Sequence, residues 1–152
     1  MSSSPRQKLS RGEALDVLSE VWALNHAIER ASTRMEARLG VTAQQRLLIR
    51  LVGRHRAITA GALAKLLCVD ASTVSTSLKR LERRKVLRRR RDPADGRRTV
   101  IGLRAAGKAL DQRERASIEA ALEAQLDATA PARVALVRRF LRQLASRVDE
   151  IG

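Results

Sequence analysis

The chain has 152 residues, which fits one domain of ordinary size with enough apolar content to bury a core. Lysine and arginine outnumber aspartate and glutamate by 31 to 16, so the formal net charge is +15 and an anionic partner is expected. The single cysteine excludes an intramolecular disulfide framework, and no uncharged apolar stretch approaches the ~20 residues that cross a bilayer.

The first nine residues are polar, rich in serine and without an apolar pattern, so we predict a flexible arm over residues 1–9. They lack the apolar segment of a secretory signal, and we therefore expect a cytoplasmic protein that does not bind membranes. Trp22 and Phe140 are the only aromatic residues, which leaves few rings on which single-stranded bases could stack.

Apolar residues at helical spacing predict a long first helix over residues 12–39, closed by Gly40. Thr42 and Gln45 have the spacing of a capping box, which predicts the start of a second helix that ends near residue 53. Thr59 marks the start of a third helix, with its leucines on one side.

The fourth predicted helix follows Asp70 and is amphipathic. At 100° per residue, Val74, Leu78 and Leu81 fall on one side of it, which predicts a packing face. The other side carries hydroxyl and cationic side chains, namely Ser72, Ser75, Thr76, Lys79 and Arg83.

Two β-prone segments, residues 86–91 and 99–103, flank the turn sequence DPADGR and predict an antiparallel hairpin. From Lys79 to Arg104 there are twelve basic and three acidic residues, so this stretch carries +9 of the +15. Residues 88–91 are all arginine and alternate faces if extended, so about half of them would face phosphates and the rest solvent or acidic neighbours.

The remainder of the chain has the apolar pattern of two helices. Residues 104–128 are predicted to form one helix, and Pro131, after Thr129 or Ala130, starts another. The last helix has an apolar seam spaced 3, 4, 3, 4, 3, at Val134, Val137, Leu141, Leu144, Val148 and Ile151. We interpret this seam as a contact between two subunits.

A helix, a turn, a second helix with a polar outer face and a basic hairpin follow one another as in a winged helix-turn-helix. Such a helix enters the major groove of DNA, and an arginine on a narrow hairpin can enter the minor groove. We select Arg97 for the minor groove, with Asp95 as its orienting partner. The candidate DNA-binding residues are Ser72, Thr73, Ser75, Thr76, Lys79 and Arg83 in the recognition helix, and Arg88, Arg90, Asp95, Arg97 and Arg98 in the wing.

The segment from Ala62 to Leu110 contains an "LA" helix, the helix sequence "STVSTSLKRLE" and the wing pattern Asp92, Asp95, Arg97, Leu103 and Gly107. In these motifs it resembles the MarR family of bacterial transcriptional regulators. The resemblance implies a mainly α-helical fold of four helices, a β-hairpin wing and two further helices.

The resemblance also implies a homodimer, paired through its N- and C-terminal helices, that binds a pseudo-palindrome in double-stranded DNA. Repression relieved by a small-molecule effector or by thiol oxidation is implied as well. The expected organisation is one MarR-type domain over residues 10–152. The protein is expected to be associated with the bacterial nucleoid. Its winged lobe spans about 42–104, and its dimerisation helices span about 12–39 and 105–151.

Three positions depart from the family pattern. Lys85 replaces the usual glycine after the recognition helix, Gly96 replaces an arginine of the wing, and Arg104 replaces a capping threonine. These departures predict a more mobile wing.

Three further residues have two possible interpretations each. Cys68 lies between Leu67 and Val69, which favours burial over a redox role. Trp22 and His26, four residues apart, are weak candidates for a ligand pocket, with core or interface packing as the alternative.

No metal, cofactor or catalytic site is predicted. The two histidines are 29 residues apart with no ligand cluster nearby, and no nucleophile–base pair or phosphate-binding glycine loop is found. The protein is therefore not expected to be an enzyme. The alternative to a sequence-specific regulator is an architectural protein that coats duplex DNA through charge and shape.

Overall fold

The computed structural model describes residues 11–55 and 57–151 of the chain, so the predicted arm over residues 1–9 lies outside the described residues. The described chain is mainly helical with one hairpin. Its elements are α1 (Arg11–Leu39), α2 (Ala43–Arg54), α3 (Ala60–Leu67), α4 (Ala71–Arg83), β1 (Leu87–Arg91), β2 (Thr99–Leu103), α5 (Ala105–Leu110), α6 (Ile118–Asp127) and α7 (Pro131–Asp149).

The starts of α2 and α3 are fixed by side-chain caps, as their sequences predicted. The Thr42 hydroxyl accepts a hydrogen bond from the Gln45 backbone N–H at 3.2 Å, and the Gln45 side-chain oxygen accepts one from the Thr42 N–H at 3.3 Å. The Thr59 hydroxyl accepts from the Ala62 N–H at 3.2 Å. These bonds satisfy N–H groups that have no partner inside the helix.

The main hydrophobic core is formed by residues between Val41 and Ile101. The predicted packing face of α4 is confirmed, because Val74, Leu78 and Leu81 are each at most 1% exposed. They pack in one cluster with buried residues of α2, α3 and the hairpin. The helix-turn-helix and the hairpin therefore share a single core.

The hairpin is antiparallel, with a register that runs from Leu87 opposite Leu103 to Arg91 opposite Thr99. It is joined to the segment before α3, because the Ile101 N–H donates to the Ile58 carbonyl at 2.8 Å. Both isoleucines are buried. This bridge holds the middle of β2 against the segment before α3.

The prediction of one helix over residues 104–128 is wrong, because the structure has α5 and α6 with residues 111–117 between them. The interruption is stabilised by side chains rather than by a proline or glycine. Arginines from α1 and α2 bind backbone carbonyls in this stretch, and the Ser117 hydroxyl caps α6 by accepting from the Ala120 N–H at 3.1 Å. The described chain consequently has seven helices, one more than predicted.

Helices α6 and α7 lie outside the core. None of the described residues of these two helices is buried, although both carry large apolar side chains. In α1, of the residues whose side chains the structure describes, only Met35 is buried. No helix within the described ranges is long and apolar enough to cross a membrane.

The expectation that Cys68 is buried is wrong. Cys68 is exposed and adopts a left-handed conformation with φ 52°, as the residue that ends α3. Its N–H bonds the carbonyl of Lys65 at 3.3 Å, which closes the last turn of the helix. The position after a helix turns the chain sharply, so apolar neighbours in the sequence did not bring this side chain into the core.

Lys85 also adopts the left-handed conformation, with φ 58°, in the turn between α4 and β1. This conformation costs a residue with a Cβ atom roughly 1–2 kcal/mol. Lys85→Gly is therefore expected to raise the free energy of unfolding by about 1 kcal/mol, measured by urea denaturation. Arg83→Gly, inside the last turn of α4, should instead lower it by about 1 kcal/mol. A Lys85→Gly protein no more stable than the wild type would contradict the strain at this turn.

Candidate nucleic-acid interface

The outer surface of α4 carries the polar side chains predicted to contact DNA. Ser72, Thr73, Thr76, Lys79 and Arg83 are exposed, whereas Ser75 is half-buried. The Thr76 hydroxyl donates to the Ser72 carbonyl at 3.0 Å, which leaves its oxygen able to accept a further bond. Five of the six predicted residues of this helix are thus accessible to a partner.

The N-terminus of α4 begins after Asp70, as predicted, but without a side-chain cap. Asp70 has the extended backbone of an N-cap residue, and within the described part of the chain its carboxylate makes no capping hydrogen bond. The first N–H groups of α4 therefore keep their capacity to donate to an oxygen anion.

The wing is joined to the recognition helix by an ion pair. Arg89 Nε lies 2.7 Å from Glu82 Oε1, and Glu82 belongs to the last turns of α4. Arg88 and Arg90 lie on the other face of β1, where the Nε atoms of both approach Gly102. The arginine run is therefore divided, with Arg89 held by an acidic neighbour and Arg88 exposed.

The tip of the wing is organised by Asp92, which is 6% exposed. Its backbone N–H donates to the Arg98 carbonyl at 2.9 Å, and its carboxylate accepts from the Ala94 N–H at 3.0 Å. Arg98 Nη1 lies 3.8 Å from the same carboxylate. In the sequence Asp92 stands out only as part of the wing pattern, and the aspartate–proline turn is the signal for its structural role.

Asp95 contacts Arg97 in a different way from the predicted one. The Asp95 carboxylate accepts from the Arg97 backbone N–H at 3.1 Å, so the described bond orients the loop rather than the guanidinium. Arg97 itself is exposed at the tip. Arg91 Nη1 donates to the Gly96 carbonyl at 2.9 Å, which further limits the movement of the turn.

The two weak candidates for a ligand pocket are both exposed. Trp22 is 65% exposed, and His26 Nδ1 lies 3.2 Å from Glu29 Oε2. A groove of about 800 Å³ between α1 and the start of α6 is lined by other residues. Its apolar lining includes Leu24, Ala27, Ile28, Ala31, Met35 and Ile118, and its basic residues are Arg34, Arg38 and Arg115.

The elements from α2 to β2 define a winged helix-turn-helix protein, and solved structures share this fold over nearly the whole chain. CouR from Rhodococcus jostii RHA1, bound to p-coumaroyl-CoA, matches with a TM-score of 0.72 at 19% identity, covering 90% of this chain and 96% of that one. The transcriptional regulator SlyA gives 0.68 at 21%, covering 89% and 95%. MepR from S. aureus in complex with DNA gives 0.67 at 20%, covering 91% and 96%.

A family model matches part of the sequence. The model of the MarR family matches residues 39–98, the segment that contains the helix-turn-helix and the hairpin up to Arg98. No curated protein sequence matches the chain. The resemblance to the MarR family that the motifs indicated is therefore confirmed over the segment that carries the candidate interface.

Proposed function

We propose that the protein is a sequence-specific DNA-binding transcriptional regulator, a homodimeric repressor that binds a pseudo-palindromic operator. The observation that carries this proposal is the surface of α4, where hydroxyl and cationic side chains are exposed opposite a fully buried apolar face. Short hydroxyl side chains can approach base edges in the major groove, and Lys79 and Arg83 can reach backbone phosphate or guanine.

The arginine hairpin supplies the second part of the interface. Arg97 is exposed at the tip of a loop held by Asp92 and Asp95, as expected for a side chain that enters the minor groove. Arg88 and Arg90 share one face of β1 and would follow the phosphate backbone beside it. The wing and α4 would therefore contact neighbouring grooves of one duplex.

Exposed apolar surface supports the homodimer. Large apolar side chains are about half exposed along two helices, namely Leu15, Leu18, Trp22 and Leu24 in α1 and Leu136, Val137, Phe140, Leu141 and Val148 in α7. Pairing these faces with a second copy would bury them.

Competition binding tests the function. An operator selected from random duplexes should contain two inverted half-sites about 10 bp apart and should bind at least about 10³-fold more tightly than unrelated duplex. A ratio near one would instead support the architectural alternative, which the charge of +15 also suits. Absence of duplex binding at modest salt would exclude both.

The division of the arginine run gives a prediction about salt dependence. Arg88→Ala should reduce the slope of log K against log salt by about one unit, because one phosphate contact is lost. Arg89→Ala should leave the slope nearly unchanged, since Arg89 is held by Glu82. Fluorescence anisotropy measures the affinities between roughly 50 and 200 mM salt, a range over which phosphate contacts change the affinity strongly. The slopes of the two variants are then compared. Equal slopes for both variants would contradict the assignment.

The groove between α1 and α6 supports a small-molecule effector. Its apolar lining and the arginines beside it suit a ligand with an apolar body and an anionic group. CouR was solved with p-coumaroyl-CoA, a ligand of that general chemistry. Titration with aromatic carboxylates such as benzoate and p-coumarate should release the operator, and operator binding unchanged by all of them would argue against this use of the groove.

A further inference from the structure

One arginine of this basic chain is buried and lies far from the candidate interface in sequence. Arg46, on the core side of α2, is 3% exposed. A charged side chain is rarely buried unless its donors are all satisfied, because removing it from water is costly. Direct contact with DNA does not explain why this side chain is buried.

The Arg46 guanidinium binds three groups around the end of α5 and the start of α6. Its Nε donates to Glu119 Oε1 at 3.0 Å, its Nη1 to the Leu110 carbonyl at 2.6 Å and its Nη2 to the Gln112 carbonyl at 2.8 Å. Leu110 ends α5, and Glu119 lies in the first turn of α6. One side chain of the winged lobe thus holds both the end of α5 and the beginning of α6.

Neighbouring arginines bind the same stretch between α5 and α6, residues 111–117, which we call the junction. Arg50, one turn further along α2, donates to the backbone and the carboxylate of Asp111. Arg38, near the end of α1, donates to the Ala116 carbonyl at 2.8 Å. The stretch between α5 and α6 is therefore fixed by planar, directional contacts to backbone groups rather than by apolar packing.

We propose that Arg46 is a positioning residue that fixes the direction of α6 relative to the winged lobe and thereby sets the spacing of DNA half-sites. Helix α6 leads into α7, which carries the exposed apolar face. The angle between α6 and the winged lobe therefore determines the position of each lobe in the proposed dimer. The fork of arginine satisfies all three acceptors in only one arrangement. This inference rests on the proposed function, since spacing has meaning only for paired lobes.

The experiment compares wild-type protein, Arg46→Met, Arg46→Lys and the control Arg54→Met on a series of operators. Arg54 is an exposed residue of the same helix, so its replacement removes a charge without touching the junction. The operators keep both half-sites and change the spacer by one, two or three base pairs in either direction, because each added pair moves and rotates the second half-site. Light scattering measures the fraction of dimer and circular dichroism the fraction of folded protein, so that all variants are compared at equal concentrations of folded dimer.

Wild type and Arg54→Met are expected to prefer one spacer by at least about 10-fold, whereas Arg46→Met should reduce the preference to about 3-fold or less with affinity for a single half-site retained. A merely destabilising change would lower all affinities together and leave the ratio between spacers unchanged. If Arg46→Met does not fold, Arg46→Lys decides, because it keeps the charge and cannot bind the three acceptors at once.

Two results would overturn the inference and can be told apart. If wild type prefers one spacer and the folded Arg46 variant retains the same preference, Arg46 does not set the spacing, although the proposed function stands. If wild type binds all spacers and a single half-site equally, paired recognition is wrong and the positioning role fails with it.

Discussion

Replacing Leu141 with glutamate is expected to convert the protein to a monomer and to weaken binding of a two-half-site operator by at least about 100-fold, or about 2.8 kcal/mol. Leu141 is 46% exposed in the single chain, so the substitution should cost the isolated fold little. At the centre of a paired apolar face, two glutamates would be taken out of water opposite each other. Light scattering and anisotropy with the operator measure the two effects.

Ser146→Glu provides the matched control for this variant. Ser146 is exposed on the same helix, about 140° from Leu141 at 100° per residue, so the same charge is added outside the apolar face. It should leave the dimer intact and reduce operator affinity only slightly. A Leu141→Glu protein that remains dimeric would show that α7 is not part of the subunit interface.

Gly107→Ala is expected to lower the free energy of unfolding by about 3 kcal/mol, since it forces two backbone segments apart. A Cβ atom at this position in α5 would lie 2.3 Å from the Val86 carbonyl oxygen and 3.2 Å from Leu103 Cδ2. The same carbonyl accepts a hydrogen bond from the Arg104 N–H at 2.9 Å, so it cannot move away freely. Urea denaturation at fixed protein concentration measures the loss.

Gly61→Ala is the control for a glycine in a helix without such a contact. A Cβ atom there would meet nothing within 4 Å, and Gly61 lies in the first turn of α3. Alanine is the better helix former, so this variant should gain about 0.5–1 kcal/mol. If both alanine variants change stability alike, the close approach at Gly107 does not constrain the fold.

Features that depend on neighbouring residues could be predicted from the sequence. The caps at Thr42 and Thr59 need only a hydroxyl and an N–H three residues later, and both form. The buried face of α4 follows from the spacing of Val74, Leu78 and Leu81 alone. Such interactions are local, so the pattern of side chains determines them before any tertiary contact is known.

Features that depend on distant residues could not be predicted in this way. Residues 111–117 have no helix breaker, and only the arginines of α1 and α2, more than 60 positions away, show why the helix stops. The Ser117 cap was a visible signal, but a hydroxyl in a continuous apolar pattern does not by itself end a helix. Cys68 was predicted to be buried because its neighbours are apolar, whereas its left-handed backbone directs it outward.

The candidate site shows the same division between local and distant information. The arginine-rich hairpin and the outer face of α4 were predicted correctly as elements, because charge and periodicity mark them. The ion pair between Arg89 and Glu82 engages one arginine of the run, and predicting it would have required the register of the folded hairpin. The assignment of each remaining residue to base or phosphate stays a prediction.

Helices α6 and α7 bury none of their described residues within one chain, and this has a consequence for the life of the protein in the cell. In the proposed dimer the second copy would cover the apolar face of these helices, so dissociation at low concentration would leave α7 less stable while the winged lobe keeps its own core. Newly made chains would remain sensitive to proteases until they meet a partner. The protein would then be degraded faster at low concentration, where most copies are monomeric, than at high concentration.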